Sequence, residues 1–247
     1  MLHRVLGNPF PWHGHYYCAW AVTVLVAAQI VLLRVVKPDA SAGLALCTVS
    51  ALSYFIKAHR DLAVVANVTI LFTWGVRLVM KGVPVARQEV GEATEVQIVL
   101  SQTLWIWLLS APTVFAVSMD RHEFYSIWPW VGIAMCCFAL LVDFFETGSV
   151  DGRLCRNPYA FCSLSLSWGL FLTIPFAWTL VFPVAFSCVV IFSPGGTIWL
   201  EAKRRAKILR DPAAHDYHRA TSPFFPMPPG SYAKVPRNFK RLCCLDF

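Results

Sequence analysis

The stretch Ile127-Trp-Pro-Trp-Val-Gly-Ile-Ala-Met-Cys-Cys-Phe-Ala-Leu-Leu-Val-Asp-Phe-Phe145 contains one charged residue, Asp143, in a run that is otherwise apolar. A helix of about 20 apolar residues crosses the roughly 30 Å hydrocarbon core of a bilayer. Trp128 and Trp130 stand at the start of the run, and indole rings favour the membrane–water interface. This stretch predicts a transmembrane helix.

Further apolar runs cover most of the chain before residue 198. Those at 16–36, 40–56, 62–80 and 96–117 each fit one span, and 158–192 fits either one long tilted helix or a helical hairpin. Pro175 and Pro183 favour the hairpin, because each removes a backbone hydrogen bond that lipid cannot replace. The sequence therefore predicts an all-α polytopic membrane bundle with six or seven transmembrane helices.

The composition agrees with this class. Of 247 residues, 57% are hydrophobic and 14% are charged, whereas soluble domains carry about 25% charged residues. These proportions exclude a disordered protein, a coiled coil and a disulfide-stapled secreted module. They also argue against an ordinary soluble enzyme, which could not keep so much apolar surface away from water. The net charge of +7 comes from basic residues between the spans and near the C-terminus. Lipid headgroups, rather than nucleic acid, are the expected counter-charge. The nine cysteines form no CxxC pair, so we expect reduced thiols.

The chain divides by composition into three parts. Residues 1–15 form an N-terminal segment, 16–198 the transmembrane bundle and 199–247 a basic C-terminal part. The stretch Glu201–Arg210 predicts a basic amphipathic helix at the membrane surface. The remainder, rich in proline and aromatic residues, predicts an extended tail docked onto the bundle. We find no internal repeat in this pattern.

Three segments, in this order, resemble the steroid 5-alpha-reductase C-terminal family of membrane proteins. Thr73-Trp-Gly-Val-Arg-Leu78 is similar to its Trp-Gly-x-Arg-Leu helix, and Ser101-Gln-Thr-Leu-Trp-Ile-Trp-Leu-Leu-Ser-Ala-Pro112 is similar to its Gln-(x)-Leu-(x)-Trp-Leu-Leu-Ser-x-Pro helix. Leu200-Glu201, followed by Tyr217-His-Arg-Ala-Thr-Ser-Pro-Phe-Phe-Pro-Met-Pro-Pro229, resembles the family's C-terminal Leu-Glu and Tyr-x-x-x-Thr-Ser-x-Phe-x-Pro-x-Pro-Pro segments. The resemblance covers about residues 62–230.

Members of that family reduce a conjugated C=C bond with NADPH, which lies near the bilayer surface in a pocket closed by the C-terminal segments. The resemblance thus implies a reductase-like scaffold, NADPH as cofactor and a steroid or lipid enone as substrate. Such a reaction needs a donor that polarises the enone carbonyl and cations that hold the phosphates. In the family much of this work falls to an Arg-His-Pro-Asn-Tyr motif and the polar stretch before it.

This sequence departs from that motif. The matching stretch Arg156-Asn-Pro-Tyr-Ala-Phe-Cys-Ser163 keeps the arginine, the proline and Phe161. Asn157 stands in place of the histidine, Tyr159 of the asparagine, Ala160 of the tyrosine and Ser163 of a following glutamate. Each lost hydrogen bond to a charged group costs about 1.5–3 kcal/mol. We therefore expect a retained scaffold with a dismantled cofactor site, and no bound cofactor.

Ionisable residues near the predicted helix ends are the candidate site residues. Arg77, an ionisable residue on an apolar helix, is a functional candidate by default. The alternative is that it reaches lipid headgroups or pairs with Glu146. Asp143 and Glu146 are candidates for catalysis or for pairing with a nearby arginine. Arg153 and Arg156 are candidates for such pairing or for binding a phosphate, which belongs either to a lipid or to NADPH.

The other candidates depend on the cofactor. If NADPH binding is retained, the resemblance assigns it to Arg153, Arg156, Asn157, Tyr159 and Tyr217. Tyr217 is also a candidate catalytic donor, or packs onto the helices. His215 and His218 supply two metal ligands without a third, so we expect no metal site.

Two functions compete. We favour a non-catalytic structural or lipid-binding accessory subunit of a membrane protein complex, because aromatic, proline and basic residues outside the spans suit contacts with partner chains and lipids. The expected location is an organelle membrane, either the mitochondrial inner membrane or the endoplasmic reticulum. The alternative is an NADPH-dependent membrane reductase of a steroid or lipid enone. A reductase needs a polar pocket near Arg156 and Tyr217, whereas a structural subunit fills that volume with Ala160, Phe161 and Phe224. A transporter is disfavoured, because paired interrupted helices are not evident.

Overall fold

The computed structural model describes residues 41–57, 62–81, 95–117, 127–145, 154–175, 177–192, 196–208, 220–228, 230–236, 238 and 240. Within these ranges the regular structure is helical, and the one extended element is an isolated bridge between Cys155 and Ser222. The α-helices are α1 (Ser41–Lys57), α2 (Leu62–Lys81), α3 (Glu95–Val117), α4 (Trp128–Phe145), α5 (Pro158–Thr173), α6 (Val181–Phe192) and α7 (Thr197–Ile208). Short 3₁₀ helices cover Ala177–Leu180 and Tyr232–Lys234.

The described residues confirm the all-helical class and the membrane character of the chain. Three stretches are long and apolar enough to cross a membrane, Leu62–Met80, Trp128–Phe145 and Val181–Arg205, and two shorter apolar helices cover Ala42–Tyr54 and Thr103–Val114. The total of six or seven spans stays a prediction, and the first predicted span, at 16–36, lies outside the described residues.

The long apolar run at 158–192 forms two helices. α5 ends at Thr173 and α6 begins at Val181, so the break contains Pro175, as its missing N–H predicts. Pro183 lies in the first turn of α6, where a helix has no intrahelical partner for the N–H that proline lacks. Pro158 begins α5 for the same reason, and the N–H of Phe161 donates to the carbonyl of Asn157 at 3.1 Å.

The chain divides into two compact units, one of Met1–Cys137 with Leu166–Phe186 and one of Phe138–Ser165 with Ser187–Phe247. In the first unit, α1 and α2 contact each other backbone to backbone. A Cβ atom added at Gly43 would lie 2.5 Å from the carbonyl oxygen of Gly75 and 2.6 Å from the backbone nitrogen of Val79. Small residues permit such close approach in membranes, where dispersion and packing, rather than the hydrophobic effect, hold helices together.

α4 and α5 approach equally closely in the same unit. A Cβ atom at Gly132 would lie 2.5 Å from the carbonyl oxygen of Gly169 and 2.7 Å from the backbone nitrogen of Thr173. The N-terminal half of α2 adds an apolar contact with the residue after α5, in a buried cluster of Ala63, Val64, Val68 and Ile174. In both helix pairs, therefore, the close approach of the two backbones occurs at glycines.

We predict that Gly75→Leu lowers the thermal unfolding temperature of the detergent-purified protein. The new side chain would meet the Cys47 thiol at 2.8 Å and the Gly43 carbonyl oxygen at 2.9 Å, so α1 and α2 must separate. Overpacking of this kind costs about 1–3 kcal/mol. Val76→Leu, at the exposed position next to it on α2, is the matched control and should leave the unfolding temperature unchanged. Equal unfolding temperatures for the two variants would contradict the close contact.

Candidate functional site

The stretch that resembles the cofactor motif is held by main-chain hydrogen bonds to the C-terminal part of the chain, within the second unit. The N–H of Arg156 donates to the carbonyl of Ser222 at 2.8 Å, and the N–H of Met227 donates to the carbonyl of Leu154 at 2.9 Å. Cys155 and Ser222 pair as a parallel bridge. Residues 154–156 and 222–227 are thus fixed side by side.

A buried ion pair lies beside these two segments. The Nη1 atom of Arg156 donates to the Oε2 atom of Glu201, on α7, at 2.6 Å, and the two side chains are only 2% and 5% exposed. Arg204, one turn further along α7, donates to the other carboxylate oxygen at 3.2 Å and is 36% exposed. One carboxylate therefore lies between two guanidinium groups.

Asn157 joins this ion pair to the C-terminal segment. Its Nδ2 atom donates to the Glu201 carboxylate at 2.7 Å and to the carbonyl of Pro223 at 2.9 Å. Its Oδ1 atom accepts from Arg204 at 2.8 Å, and the same Arg204 nitrogen donates to the carbonyl of Arg156 at 3.1 Å. We call Arg156, Asn157, Glu201 and Arg204 the ionic cluster.

The buried charges of the ionic cluster are stable only because each contacts a group of opposite charge. A charge taken out of water is costly unless it is paired and hydrogen-bonded, and removing one partner from a buried pair is strongly destabilising. Glu201 accepts three hydrogen bonds from the other cluster members. Two arginines and one glutamate leave the cluster with a formal charge of +1, and the excess lies toward Arg204, its partly exposed member.

A group of aromatic rings around Phe161 follows the ionic cluster in the chain. The ring of Phe161, in the first turn of α5, packs edge-on against Phe224 and Phe225, at centroid distances of 5.8 and 6.1 Å. Phe138 of α4 contacts the same ring at 6.2 Å. Such aromatic pairs contribute about 0.5–1.5 kcal/mol each beyond the area that they bury. They attach α5 to the residues that follow Pro223.

The structure brings together only some of the predicted site residues. Arg156 and Asn157 meet in the ionic cluster. Asp143 is buried near the end of α4, and Tyr159 is half-buried at the start of α5. Glu146, Arg153 and Tyr217 lie outside the described residues, as do His215 and His218.

Arg77 contacts an aromatic ring of its own helix. Its guanidinium carbon lies 5.1 Å from the centroid of the buried Trp74 ring, one turn earlier on α2. A cation over an indole ring is stabilised by the ring's quadrupole, and this contact suits an arginine near the end of an apolar span.

Two members of the ionic cluster were not predicted as site residues. Glu201 was noted only as part of the Leu-Glu motif, and Arg204 only as one charge of a basic helix. Glu201 follows Arg156 by 45 positions, so no local spacing links them. The one local sign in the sequence is that Glu201 is the single acidic residue of the basic stretch Glu201–Arg210.

Among the described residues, no group of three histidine, cysteine, aspartate or glutamate side chains is placed to hold a metal ion. Comparison of the chain with protein-family models, curated proteins and solved structures finds no match. The geometry of the ionic cluster is therefore the evidence from which a function must be argued.

We predict that Glu201→Gln destabilises the protein by about 3–5 kcal/mol, because the buried Arg156 guanidinium loses its counter-charge. Thermal unfolding in detergent measures the effect. Ala202→Gln introduces the same side chain at the exposed neighbouring position and should be neutral. The double variant Arg156→Leu with Glu201→Leu should recover much of the loss, since it removes both partners of this ion pair together. An undisturbed Glu201→Gln variant would show that the ion pair is not important for stability.

Proposed function

We propose that this chain is a non-catalytic integral membrane protein that acts as a structural or lipid-binding accessory subunit of a membrane protein complex. Its scaffold is proposed to be similar to that of the steroid 5-alpha-reductase C-terminal family. The observation that carries the proposal is the ionic cluster, in which the residues matching the family's cofactor motif bind the chain's own glutamate.

Arg156 is the clearest case. A guanidinium that binds the phosphates of a dinucleotide must be accessible and must have charge to spare. The Arg156 side chain is 2% exposed and contacts Glu201 at 2.6 Å. A phosphate in this position would have to displace a carboxylate and leave it buried beside a second negative charge, which costs several kcal/mol. This arrangement favours a structural role for Arg156.

Asn157 supports the same conclusion. Its two amide hydrogens are used by Glu201 and Pro223, and its oxygen accepts from Arg204. No hydrogen of the amide is left to donate to a nicotinamide or an enone carbonyl. The adjacent Phe161 and Phe224 rings pack against each other, as expected where aromatic side chains fill the volume of a former pocket.

The lipid-binding part of the proposal rests on α7 and the arginines. Lys203 is exposed, lies 3.8 Å from the Trp199 ring centroid, and precedes the partly exposed Arg204. Basic residues beside an indole suit the headgroup region of an anionic leaflet. We propose that α7 is a basic amphipathic helix at the membrane surface and that a docked tail follows it. We propose Arg77, Arg153 and Arg204 as lipid-contacting residues. Arg204 replaces Arg156 in this set, because the Arg156 side chain is buried. An organelle membrane is the proposed location.

We predict no NADPH binding to the full-length protein in mild detergent at millimolar cofactor, because the matching arginine is neutralised internally. Nicotinamide fluorescence measures this directly, and NADH at the same concentration is the control for non-specific signal. Binding at micromolar NADPH, lost in Arg204→Gln but not in Ala202→Gln, would overturn the proposal and favour the alternative, a membrane reductase of a steroid or lipid enone.

We predict that the purified protein retains anionic phospholipid more strongly than phosphatidylcholine. Native mass spectrometry after exchange into mixed micelles of cardiolipin and phosphatidylcholine counts the retained lipids. Lys203→Gln with Arg204→Gln should reduce cardiolipin retention several-fold, since each basic residue near an anionic surface contributes about 1 kcal/mol. Equal retention of the two lipids by the unaltered protein would contradict the proposed lipid binding.

A blue-native gel in digitonin tests whether the protein is a subunit of a complex. Migration as a 27.7 kDa monomer in its micelle would contradict that role.

A further inference from the structure

The helix pairs α1–α2 and α4–α5 share a sequence pattern. Gly43-Leu-Ala-Leu-Cys47 in α1 corresponds to Gly132-Ile-Ala-Met-Cys136 in α4. Thr73-Trp-Gly-Val-Arg-Leu78 in α2 corresponds to Ser167-Trp-Gly-Leu-Phe-Leu172 in α5. Identical glycines, cysteines, tryptophans, one alanine and one leucine thus recur in the same order. The positions between them carry similar residues, except that Arg77 corresponds to Phe171.

The two pairs also share their contacts. Gly43 lies against the Gly75 carbonyl, and Gly132 lies against the Gly169 carbonyl, each at 2.5 Å from an added Cβ atom. The cysteine four residues later contacts the glycine of the second helix in both pairs. Each of these thiols also donates to the carbonyl three residues before that glycine, Cys47 to Phe72 at 3.9 Å and Cys136 to Leu166 at 3.8 Å. A match in sequence, close approach and hydrogen-bond register does not follow from helix packing in general.

The helices that follow each pair, α3 and α6, contact each other. Trp105 lies 5.7 Å from Phe186, and Trp107 lies 5.3 Å from Phe182, measured between ring centroids. Residue numbers rise along α3 as they fall along α6, so the two helices run in opposite senses. This is the contact that a two-fold axis perpendicular to both helices produces between equivalent elements.

We infer that α1–α3 and α4–α6 are two copies of one three-helix unit, inserted in the membrane with opposite orientations. Three crossings are an odd number, so the second copy begins on the side of the membrane where the first copy ends. Repeats related in this way have an axis in the membrane plane, and their shared interface lies near the midplane. Here that interface holds the aromatic rings of α3 and α6. The inference corrects the expectation of a chain without internal repeats, and it does not depend on the proposed function.

The test is the sidedness of the links between helices in the full-length protein. Trypsin is added to sealed native-membrane vesicles of each orientation, and the cut sites are identified by mass spectrometry. We expect Arg60 and Arg121 to be cut from one side, and Arg87 and Arg153 from the other. An epitope inserted at 58–61 or at 146–153 gives the same readout where trypsin does not cut. If the link at 58–61 and the link at 146–153 both react from the same side of the membrane, the inverted repeat is wrong.

A second measurement keeps the inference testable if the links resist both probes. Gly169→Leu should lower the unfolding temperature about as much as Gly75→Leu, because the two glycines are equivalent. Val184→Leu, at an exposed position of α6, is the control. A Gly169→Leu variant as stable as its control would contradict the equivalence. Neither measurement involves a cofactor or a lipid, so their failure is distinguishable from failure of the proposed function.

Discussion

The ion pair between Arg156 and Glu201 is the constraint on which the second unit depends. It joins the stretch before α5 to the first half of α7, and Asn157 extends it to the segment after residue 220. Main-chain hydrogen bonds alone would fix the direction of these segments but not hold α7 against them. Because both charges are buried, neither segment can move away without exposing an unpaired charge to a medium of low dielectric constant.

The first unit is held by a different kind of force. Lipid tails are as apolar as leucine, so burying apolar side chains between membrane helices gains little, and close backbone packing matters more. Glycines on both helices of each pair allow that packing, and each cysteine adds a weak hydrogen bond to an opposing carbonyl. The chain thus combines close packing of small residues in one unit with a paired charge in the other.

The sequence predicted what depends on local composition. The all-helical class, the membrane character and the helical break at Pro175 follow from hydropathy and from the backbone chemistry of proline, and the described residues confirm them. Contacts between residues far apart in the chain could not be predicted from the sequence. Glu201 carries no local sign that its partner is Arg156, and Cys47 carries none that it contacts Gly75. The repeat that we infer is hard to find in the sequence alone, because only short motifs recur, at separations that differ between the first and second helices of each pair.

Asn157 stands where the reductase motif that this stretch resembles has a histidine, and the two side chains differ in a physically important way. A histidine ring has two nitrogens, so it makes at most two such hydrogen bonds at once, and its charge changes near neutral pH. The Asn157 amide donates twice and accepts once, and it does not titrate. All three bonds are made, to a carboxylate, a carbonyl and a guanidinium. Asn157 is therefore a fixed junction between three segments of the chain. An amide with all its hydrogen bonds made within the chain holds these three segments together, which is the structural role that we propose for the cluster.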